Sequence, residues 1–405
     1  MKKYWKTISI CFFILVFINS YYIQKTAMAS KNDRSYKIET ISGNKEEIEN
    51  LILQTSYQSN DLYHMLYISK DGSTNPNNQS FFGDLIAPNE PMILRKYIEE
   101  HRNFMRGKEF DPRKYFEDKA RLIYTTFLDD GKKEARGNVV TLQIDTLDKN
   151  TNDSSSFKID IPVKASYDWI NVNDVYVGDG KINILTTNYL SANYLIKARE
   201  ELHVYTIDVE KKELVKDAIL AELVSEERGT SSIRIFNEYN TTTQNENYYL
   251  YMVEKYSERK ENTELEVISS QIYLYDNAKN EAEEWTMPEE LKPYRKSMRI
   301  HKETIYIPVY SANGLTLNRY HIEKKQWEEP LTLQYSSIAN EKDAPYLRIA
   351  EGKFYLVYRV SDGQWLSIVD LRTGGLIYEG KIISEDKKNQ EADSSLTIEQ
   401  LYTMH

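Results

Sequence analysis

From residue 347 the chain reads Leu347-Arg348-Ile349-Ala350, then Glu351-Gly352, then Lys353-Phe354-Tyr355-Leu356-Val357-Tyr358. A strand, a two-residue turn and a second strand is the simplest reading, because glycine in the turn tolerates positive φ. The second strand has no polar face. Side chains alternate along a strand, so Phe354, Leu356 and Tyr358 project to one side and Tyr355 and Val357 to the other. A strand that is apolar on both faces has to be covered on both. Farther on, Leu366-Ser367-Ile368-Val369-Asp370 supplies a third strand that ends on a turn residue. Two such hairpins in series make a four-stranded antiparallel sheet, and sheets of this kind bury both sides by stacking.

The unit recurs. Thr141-Leu142-Gln143-Ile144-Asp145, His203-Val204-Tyr205-Thr206-Ile207-Asp208, Ile272-Tyr273-Leu274-Tyr275-Asp276 and Leu317-Asn318-Arg319-Tyr320-His321 repeat the third strand, and Met65-Leu66-Tyr67-Ile68-Ser69 is an earlier copy. Polar turns such as Glu210-Lys211-Lys212 and Glu323-Lys324-Lys325 lead into shorter strands. Asp and Asn suit these turns because they tolerate positive φ and bond to nearby backbone. Val175-Tyr176-Val177, Gly178-Asp179-Gly180 and Lys181-Ile182-Asn183-Ile184 repeat the opening hairpin. The spacings from Asp145 to Asp208, Asp276, His321 and Asp370 are 63, 68, 45 and 49 residues. The last two lie near the roughly 40–50 residues of propeller blades, and the longer ones imply loop insertions.

The expected fold is therefore all-β, a β-propeller of about six four-stranded blades. A seventh blade would have to lie between Gly72 and Arg121. In its hairpin spacing the chain resembles exported β-propeller proteins of Gram-positive bacteria over residues 35–385, with residues 386–405 as a C-terminal tail. Two features depart from the repeat. Pro308, inside Ile305-Tyr306-Ile307-Pro308-Val309-Tyr310, cannot donate to a ladder and demands a bulge or an edge. Within a proposed insertion at 76–119, Glu90 to Arg106 reads as a helix. Asn89 is the N-cap, Pro91 lies in the first turn and Gly107 follows the end. Leu94, Ile98, His101 and Met105 form its apolar stripe.

Composition narrows the function. The 405 residues include 52 basic and 62 acidic side chains, a net charge of −10, which argues against a nucleic-acid partner. The single cysteine, Cys11, excludes a disulfide framework and a Cys-based metal centre. The 32 tyrosines favour strand over helix. At the N-terminus, Lys2, Lys3 and Lys6 precede the uncharged run Ile8 to Ile18, and Ala27-Met28-Ala29 precedes Ser30. The run is too short for a bilayer core of about 30 Å at about 1.5 Å per residue. It has the length of a signal-peptide core, and the small-x-small pattern suits a signal peptidase. Residues 1–29 are thus a signal peptide or, if Asn19 to Ile23 extend the span, an uncleaved membrane anchor. Either places the remainder outside the cytoplasm, secreted or anchored, and the membrane is met only through this segment.

Catalytic signatures are missing. There is no G-x-S-x-G, H-E-x-x-H, Walker A or G-x-G-x-x-G pattern. No two histidines are spaced as a zinc pair, so neither metal nor cofactor is expected. His203 and His321 read as packing or edge residues. One recurrent detail stands out: Ser232-Ile233-Arg234-Ile235, Ser297-Met298-Arg299-Ile300 and Tyr346-Leu347-Arg348-Ile349 occupy the first strands of three consecutive units. Arg234, Arg299 and Arg348 would approach the propeller axis, either as an anion site, since a guanidinium suits carboxylate or phosphate, or paired with acids of neighbouring blades. Arg121 is a fourth candidate. The loops between second and third strands carry Asn188, Tyr189, Asn193 and Tyr194, then Tyr310 and Asn313, then Arg359 and Asp362; aromatics with amides suit carbohydrate or peptide.

These features point to a non-catalytic extracytoplasmic propeller that binds or senses a small anionic ligand, a glycan or a protein partner. Two alternatives remain: an enzyme attacking polysaccharide through paired carboxylates, and a structural subunit of a membrane complex. The leader reading predicts that protein recovered from its host begins at Ser30 on N-terminal sequencing. Recovery only from membranes with Met1 or Lys2 intact would contradict it.

Overall fold

The computed structural model describes residues 9–10, 12–17, 20, 34–59, 62–75, 92–128, 139–163, 165, 167–178, 180–191, 197–225, 231–237, 247–257, 266–311, 314–334, 345–361, 363–385 and 396–403. Its strands in chain order are β1 (Tyr36–Gly43), β2 (Leu51–Ser59), β3 (Leu62–Ser69), β4 (Gly72–Thr74), β5 (Tyr115–Glu117), β6 (Arg121–Leu128), β7 (Val139–Asp148) and β8 (Ser154–Pro162). Then come β9 (Trp169–Gly178), β10 (Lys181–Leu190), β11 (Ala198–Asp208), β12 (Glu213–Ser225), β13 (Ser231–Ile235), β14 (Tyr248–Tyr256), β15 (Val267–Asp276) and β16 (Glu281–Trp285). The last are β17 (Arg299–His301), β18 (Thr304–Ser311), β19 (Gly314–His321), β20 (Gln326–Gln334), β21 (Tyr346–Ala350), β22 (Lys353–Val360), β23 (Gly363–Asp370), β24 (Leu376–Ser384) and β25 (Thr397–Thr403).

They form six sheets: β25-β2-β3-β4, β5-β6-β7-β8, β9-β10-β11-β12, β13-β14-β15-β16, β17-β18-β19-β20 and β21-β22-β23-β24-β1. The fold is all-β, and its repeating element is the four-stranded antiparallel blade of a β-propeller. We number the sheets blades 1 to 6 in that order. Between Gly72 and Arg121 the described residues supply β4, two α-helices, a 3₁₀ turn and β5, and no further sheet.

The chain divides into two compact units, one of residues 1–92, 310–315 and 331–405, the other of residues 93–309 and 316–330. The first holds blades 1 and 6, which share a core of Leu53, Leu66 and Ile68 against Tyr355, Val357 and Ile368. The second holds blades 2, 3 and 4 and most of blade 5. There, Leu142 and Ile144 of blade 2 meet Ile182 and Ile184 of blade 3. The other face of blade 3, with Leu185 and Val204, meets Tyr249 and Tyr251 of blade 4. Leu250 and Met252, on the opposite face of β14, pack with Ile305 and Ile307 of blade 5.

The third-to-fourth-strand turns repeat one device. An Asp at the strand end accepts from turn backbone: Asp148 from Asn150 N at 2.8 Å, Asp208 from Lys211 N at 3.0 Å, Asp276 from Lys279 N at 3.1 Å and Asp370 from Thr373 N at 2.7 Å. Four positions on lies a left-handed residue: Asn152 (φ 61), Lys212 (φ 54), Asn280 (φ 57) or Gly374 (φ 71). Blade 5 has Lys325 (φ 50) in that place after His321. In blade 2 the turn residue is Asp148, not the expected Asp145, because β7 continues through Thr146 and Leu147. Asp145 instead lies within that strand, in an ion pair with Lys108 at 2.9 Å.

Pro308 occupies β18, an interior strand, at a place where one side is open. Ile322 N donates to Glu303 O, so alternate residues of β18 from 303 face β19 and residues 304, 306 and 308 face β17. The three-residue β17 reaches only Tyr306, so the missing N–H of Pro308 costs no ladder bond. From Met92 the expected helix is present as α1 (Met92–Glu100) and α2 (Arg102–Met105), broken at His101, while Asn89, Glu90 and Pro91 lie outside the described residues. Leu94, Tyr97, Phe104 and Met105 cover Tyr115, Leu122 and Tyr124 of blade 2. His101 thus marks the break and is not part of a continuous stripe.

Residues 397–403, expected within a tail, form β25 and complete blade 1, with Leu401 opposite Leu53. β1 in turn extends blade 6, with Ile38 opposite Ile382. Gly43 ends β1 at φ +89, and a Cβ there would lie 2.2 Å from Ile377 O, so only glycine fits. Near the N-terminus the described residues are helical, and Phe12, Phe13, Leu15 and Phe17 are exposed. Among the described residues no helix is long and apolar enough to cross a membrane. Leu401 is fully buried. Leu401→Ala is expected to lower the urea-derived unfolding free energy by about 2–5 kcal/mol. A change within about 0.5 kcal/mol, the size of a surface substitution, would contradict the place of β25.

Candidate functional site

Blade 3 presents the most site-like surface. β9 begins and β10 ends at the same edge, and their ladder sets Trp169 directly opposite Tyr189. Directly opposed residues share a face, and the two rings stack with centroids 4.2 Å apart and planes 17° from parallel. Trp169 is nonetheless 41% exposed, so the stack offers an aromatic surface to solvent. The strand end is held from below. Asp168 N donates to Tyr189 O at 2.8 Å, and the Asp168 carboxylate accepts from Ser191 N at 2.6 Å. Period-2 alternation puts exposed Asn171 on the same face as Trp169 and Thr187 on the same face as Tyr189. Asn173 Nδ2 donates to Thr187 Oγ1 at 2.7 Å. The result is an aromatic platform beside amide and hydroxyl groups.

The opposite face of the same sheet carries a buried ionic chain on β11 and β12. The Tyr167 hydroxyl donates to Glu201 Oε2. Glu201 Oε2 lies 2.8 Å from His203 Nε2, and His203 Nδ1 lies 2.7 Å from Asp217 Oδ1. Arg199 reaches Glu201 Oε1 at 3.4 Å. Thr186 donates to Asn188 Oδ1, and Asn188 Nδ2 donates to the Tyr205 hydroxyl, both at 2.8 Å. Burial alone would lower the His203 pKa, but the bonds to Asp217 and Glu201 outweigh it and hold the imidazolium above its ordinary value. Burial likewise works against the charge of Glu201, yet Tyr167 and His203 together keep that carboxyl below its ordinary value. Both ring nitrogens of His203 are engaged by carboxylates, so neither is open to a substrate. Glu201 and Asp217 are both committed to it. This chain orients β10 and β11 under the platform. His203, expected as a packing or edge residue, is an ion-pair bridge; Glu201-x-His203 on one face of a strand was the available signal.

A second titratable group lies on β9. Asp174 accepts from the Tyr249 hydroxyl of blade 4 at 2.5 Å and from Val175 N at 2.9 Å. Burial pushes its carboxyl up to about 7, against the opposing effect of those two bonds. Among the described residues no group of three or more His, Cys, Asp or Glu is placed to hold a metal ion.

The arginines lie on first strands as expected, in different surroundings. Arg234 on β13 is exposed. Arg299 on β17 is partly buried and turns back on its own chain, donating to Met298 O at 2.8 Å and Ser297 O at 3.3 Å. Arg348 on β21 is buried, opposite Tyr355. Arg299 and Arg348 hold matching places, seven residues before Tyr306 and Tyr355, their cross-strand partners. Arg121 is no fourth copy, since it begins a second strand and pairs with Asp118 at 2.8 Å. Tyr310 is partly buried near the end of β18. Arg359 on β22 donates to Leu396 O at 2.9 Å and helps seat the strand that follows. Asn193, Tyr194, Asn313 and Asp362 lie outside the described residues. Among the described expected loop residues, Tyr189 is the one stacked on an exposed aromatic, Trp169.

No protein-family model and no curated protein matches the chain. Among solved structures it is similar to the polysaccharide lyase Uly1, at 14% identity and a TM-score of 0.35 over 67% of this chain and 57% of that one. It is similar to TolB from Acinetobacter baumannii at 10% identity and a TM-score of 0.32, over 84% of this chain and 65% of that one. Apo AztD from Citrobacter koseri shows 9% identity and a TM-score of 0.28, over 81% and 94%. The chain spans less than two thirds of the length of the first two.

The ionic chain has a measurable signature. His203→Ala leaves Glu201 buried without its histidine, and the expected loss is about 3–5 kcal/mol of unfolding free energy. Because the folded-state pKa of His203 is raised, its contribution is full below the unfolded value of about 6.5 and is lost as pH rises through the folded value. Urea titrations at stepped pH should show that decline in wild type and not in the variant. Equal stability of the two proteins at neutral pH would contradict the assignment.

Proposed function

We propose that the protein is a non-catalytic, extracytoplasmic binding protein that takes a glycan on the Trp169–Tyr189 platform of blade 3. The observation that carries this reading is the stack itself, an indole left 41% exposed while packed face to face on a cross-strand tyrosine. A pyranose ring has an apolar C–H face that packs on such a surface, and its hydroxyls match Asn171 and Thr187. Few conformations are lost on binding, because the ladder and Asp168 fix the platform beforehand. The exposed apolar helical residues near the N-terminus and the preceding lysines support export, with residues 1–29 as leader or anchor. The enzymatic alternative has less support, since the carboxylates brought together here, Glu201 and Asp217, are bound to one histidine.

The test is isothermal titration with chito-oligosaccharides, β-glucan oligosaccharides and uronic-acid oligosaccharides. At least one should bind wild type saturably. Trp169→Ala should abolish that binding, and Tyr189→Ala should weaken it at least tenfold, about 1.4 kcal/mol. Both variants should melt close to wild type, because the platform is at the surface. Absence of saturable binding by all three classes would overturn the reading, as would a Trp169→Ala variant that binds like wild type.

A further inference from the structure

The aromatic platform faces another blade. Directly opposed residues share a face, so Trp169, Asn171, Asp174 and Tyr176 of β9 lie on one side with Asn183, Leu185, Thr187 and Tyr189 of β10. That side meets blade 4, where Tyr176 and Leu185 pack with Tyr249 and Tyr251 of β14. Two contacts set the level of one blade against the other. The Tyr249 hydroxyl donates to Asp174 at 2.5 Å, and its ring lies 5.5 Å from that of Tyr176, so Tyr249 stands between those two rows. Glu200, opposite Tyr189, accepts from Ile233 N, and Ile233 lies opposite Val253 of β14. The row of Val253 therefore comes level with the row of Tyr189.

Counting along both strands gives the same answer. From the Tyr249 level toward the platform, β9 presents Asp174, Asn171 and Trp169, with Asn173 as the extra residue of a bulge. Over the same distance β14 presents Tyr251, Val253 and Lys255. Lys255 is thus the next residue of this face beyond Val253, about 7 Å nearer the open end. Stacked sheets lie about 10 Å apart, which brings the Lys255 side chain over the gap that the Trp169 and Tyr189 rings border.

The chemistry of that wall is distinctive. Lys255 is exposed, and Ser231 and Ser269 lie directly opposite it on the neighbouring strands. The nearby acids are engaged elsewhere. Glu254 projects to the other face and pairs with Arg295 and Lys296. Glu200 is turned to the Ile233 amide, and Asp168 accepts from Ser191 N. An aromatic surface on one wall thus faces an ammonium flanked by two hydroxyls on the other.

We propose, on the glycan reading of the platform, that Lys255 determines its specificity and selects acidic sugars. A uronic-acid ring lies on Trp169 and Tyr189, and its carboxylate meets the Lys255 ammonium with Ser231 and Ser269 as hydroxyl partners. Lys255 belongs to blade 4, so the ligand occupies the mouth of the junction between two blades and not the surface of one.

Titration with an oligouronate, and with the same oligosaccharide after reduction of its carboxyls to primary alcohols, tests this. Wild type should bind the acidic form at least fivefold more tightly, about the upper range of an exposed ion pair. Lys255→Met should bring the two forms within about twofold, and Lys255→Arg should keep the preference. Salt at about 1 M, where the Debye length is about 3 Å, should erase the preference of wild type and leave Lys255→Met unchanged. All variants should melt close to wild type, since Lys255 is exposed. A Lys255→Met variant that still prefers the acidic form would overturn the assignment, as would equal binding of both forms by wild type. If Trp169→Ala abolishes binding of both forms in either case, the platform stands and the role of Lys255 alone falls. If neither form binds wild type, or Trp169→Ala binds both like wild type, the platform and the role of Lys255 fall together.

Discussion

Strands that are apolar on both faces cannot rest against a single neighbour, and this constraint shapes the molecule. β14 is the clearest case. Leu250 and Met252 enter the core shared with blade 5, while Tyr249 and Tyr251 enter the core shared with blade 3. β10 does the same with Ile182 and Ile184 on one side and Leu185 on the other. Fully burying such a side chain is worth about 1.5–3 kcal/mol, so each interior strand draws a sheet onto both of its faces. The turn Asp residues act on this pattern. They fix where each third strand stops, and a register slip of one residue would send every apolar side chain to the wrong face.

The same constraint explains where polar chemistry collects. Stacked faces leave little room for charge, so ionisable groups within a blade must be paired. Glu201, His203 and Asp217 form such a chain, and Glu254 with Arg295 and Lys296 forms another. Exposed aromatic surface is left to a strand end, where Trp169 stacks on Tyr189.

Much of the fold was legible because its signals are local. Glu351-Gly352 between two alternating runs is a hairpin on any reading, and Tyr355 beside Phe354 shows a strand with two covered faces. What escaped depends on distant pairing. β25 is a short strand following a polar stretch, and its partner β2 lies more than three hundred residues away. Asp145 resembled a turn residue because Thr146 and Leu147 continue the alternation only weakly. Pro308 by itself demands a bulge or an edge, yet the three-residue length of β17 that leaves its side open has no local signature. The site was less legible. Tyr189 is legible as a loop candidate, but nothing local joins it to Trp169, twenty residues earlier. The shared motif around Arg234, Arg299 and Arg348 was real as sequence and placed all three on first strands. Their burial then diverges, because it depends on turn length and on neighbouring chain segments.

Hydrogen–deuterium exchange, followed segment by segment, tests the double-coverage account most directly. Amides of Ile182–Leu185 and Tyr249–Met252 should be the slowest to exchange and should open only with global unfolding. Amides of the outermost strands β12 and β20 should exchange faster. Exchange in β10 and β14 as fast as in those outer strands would contradict the claim that coverage of both faces holds the blades together.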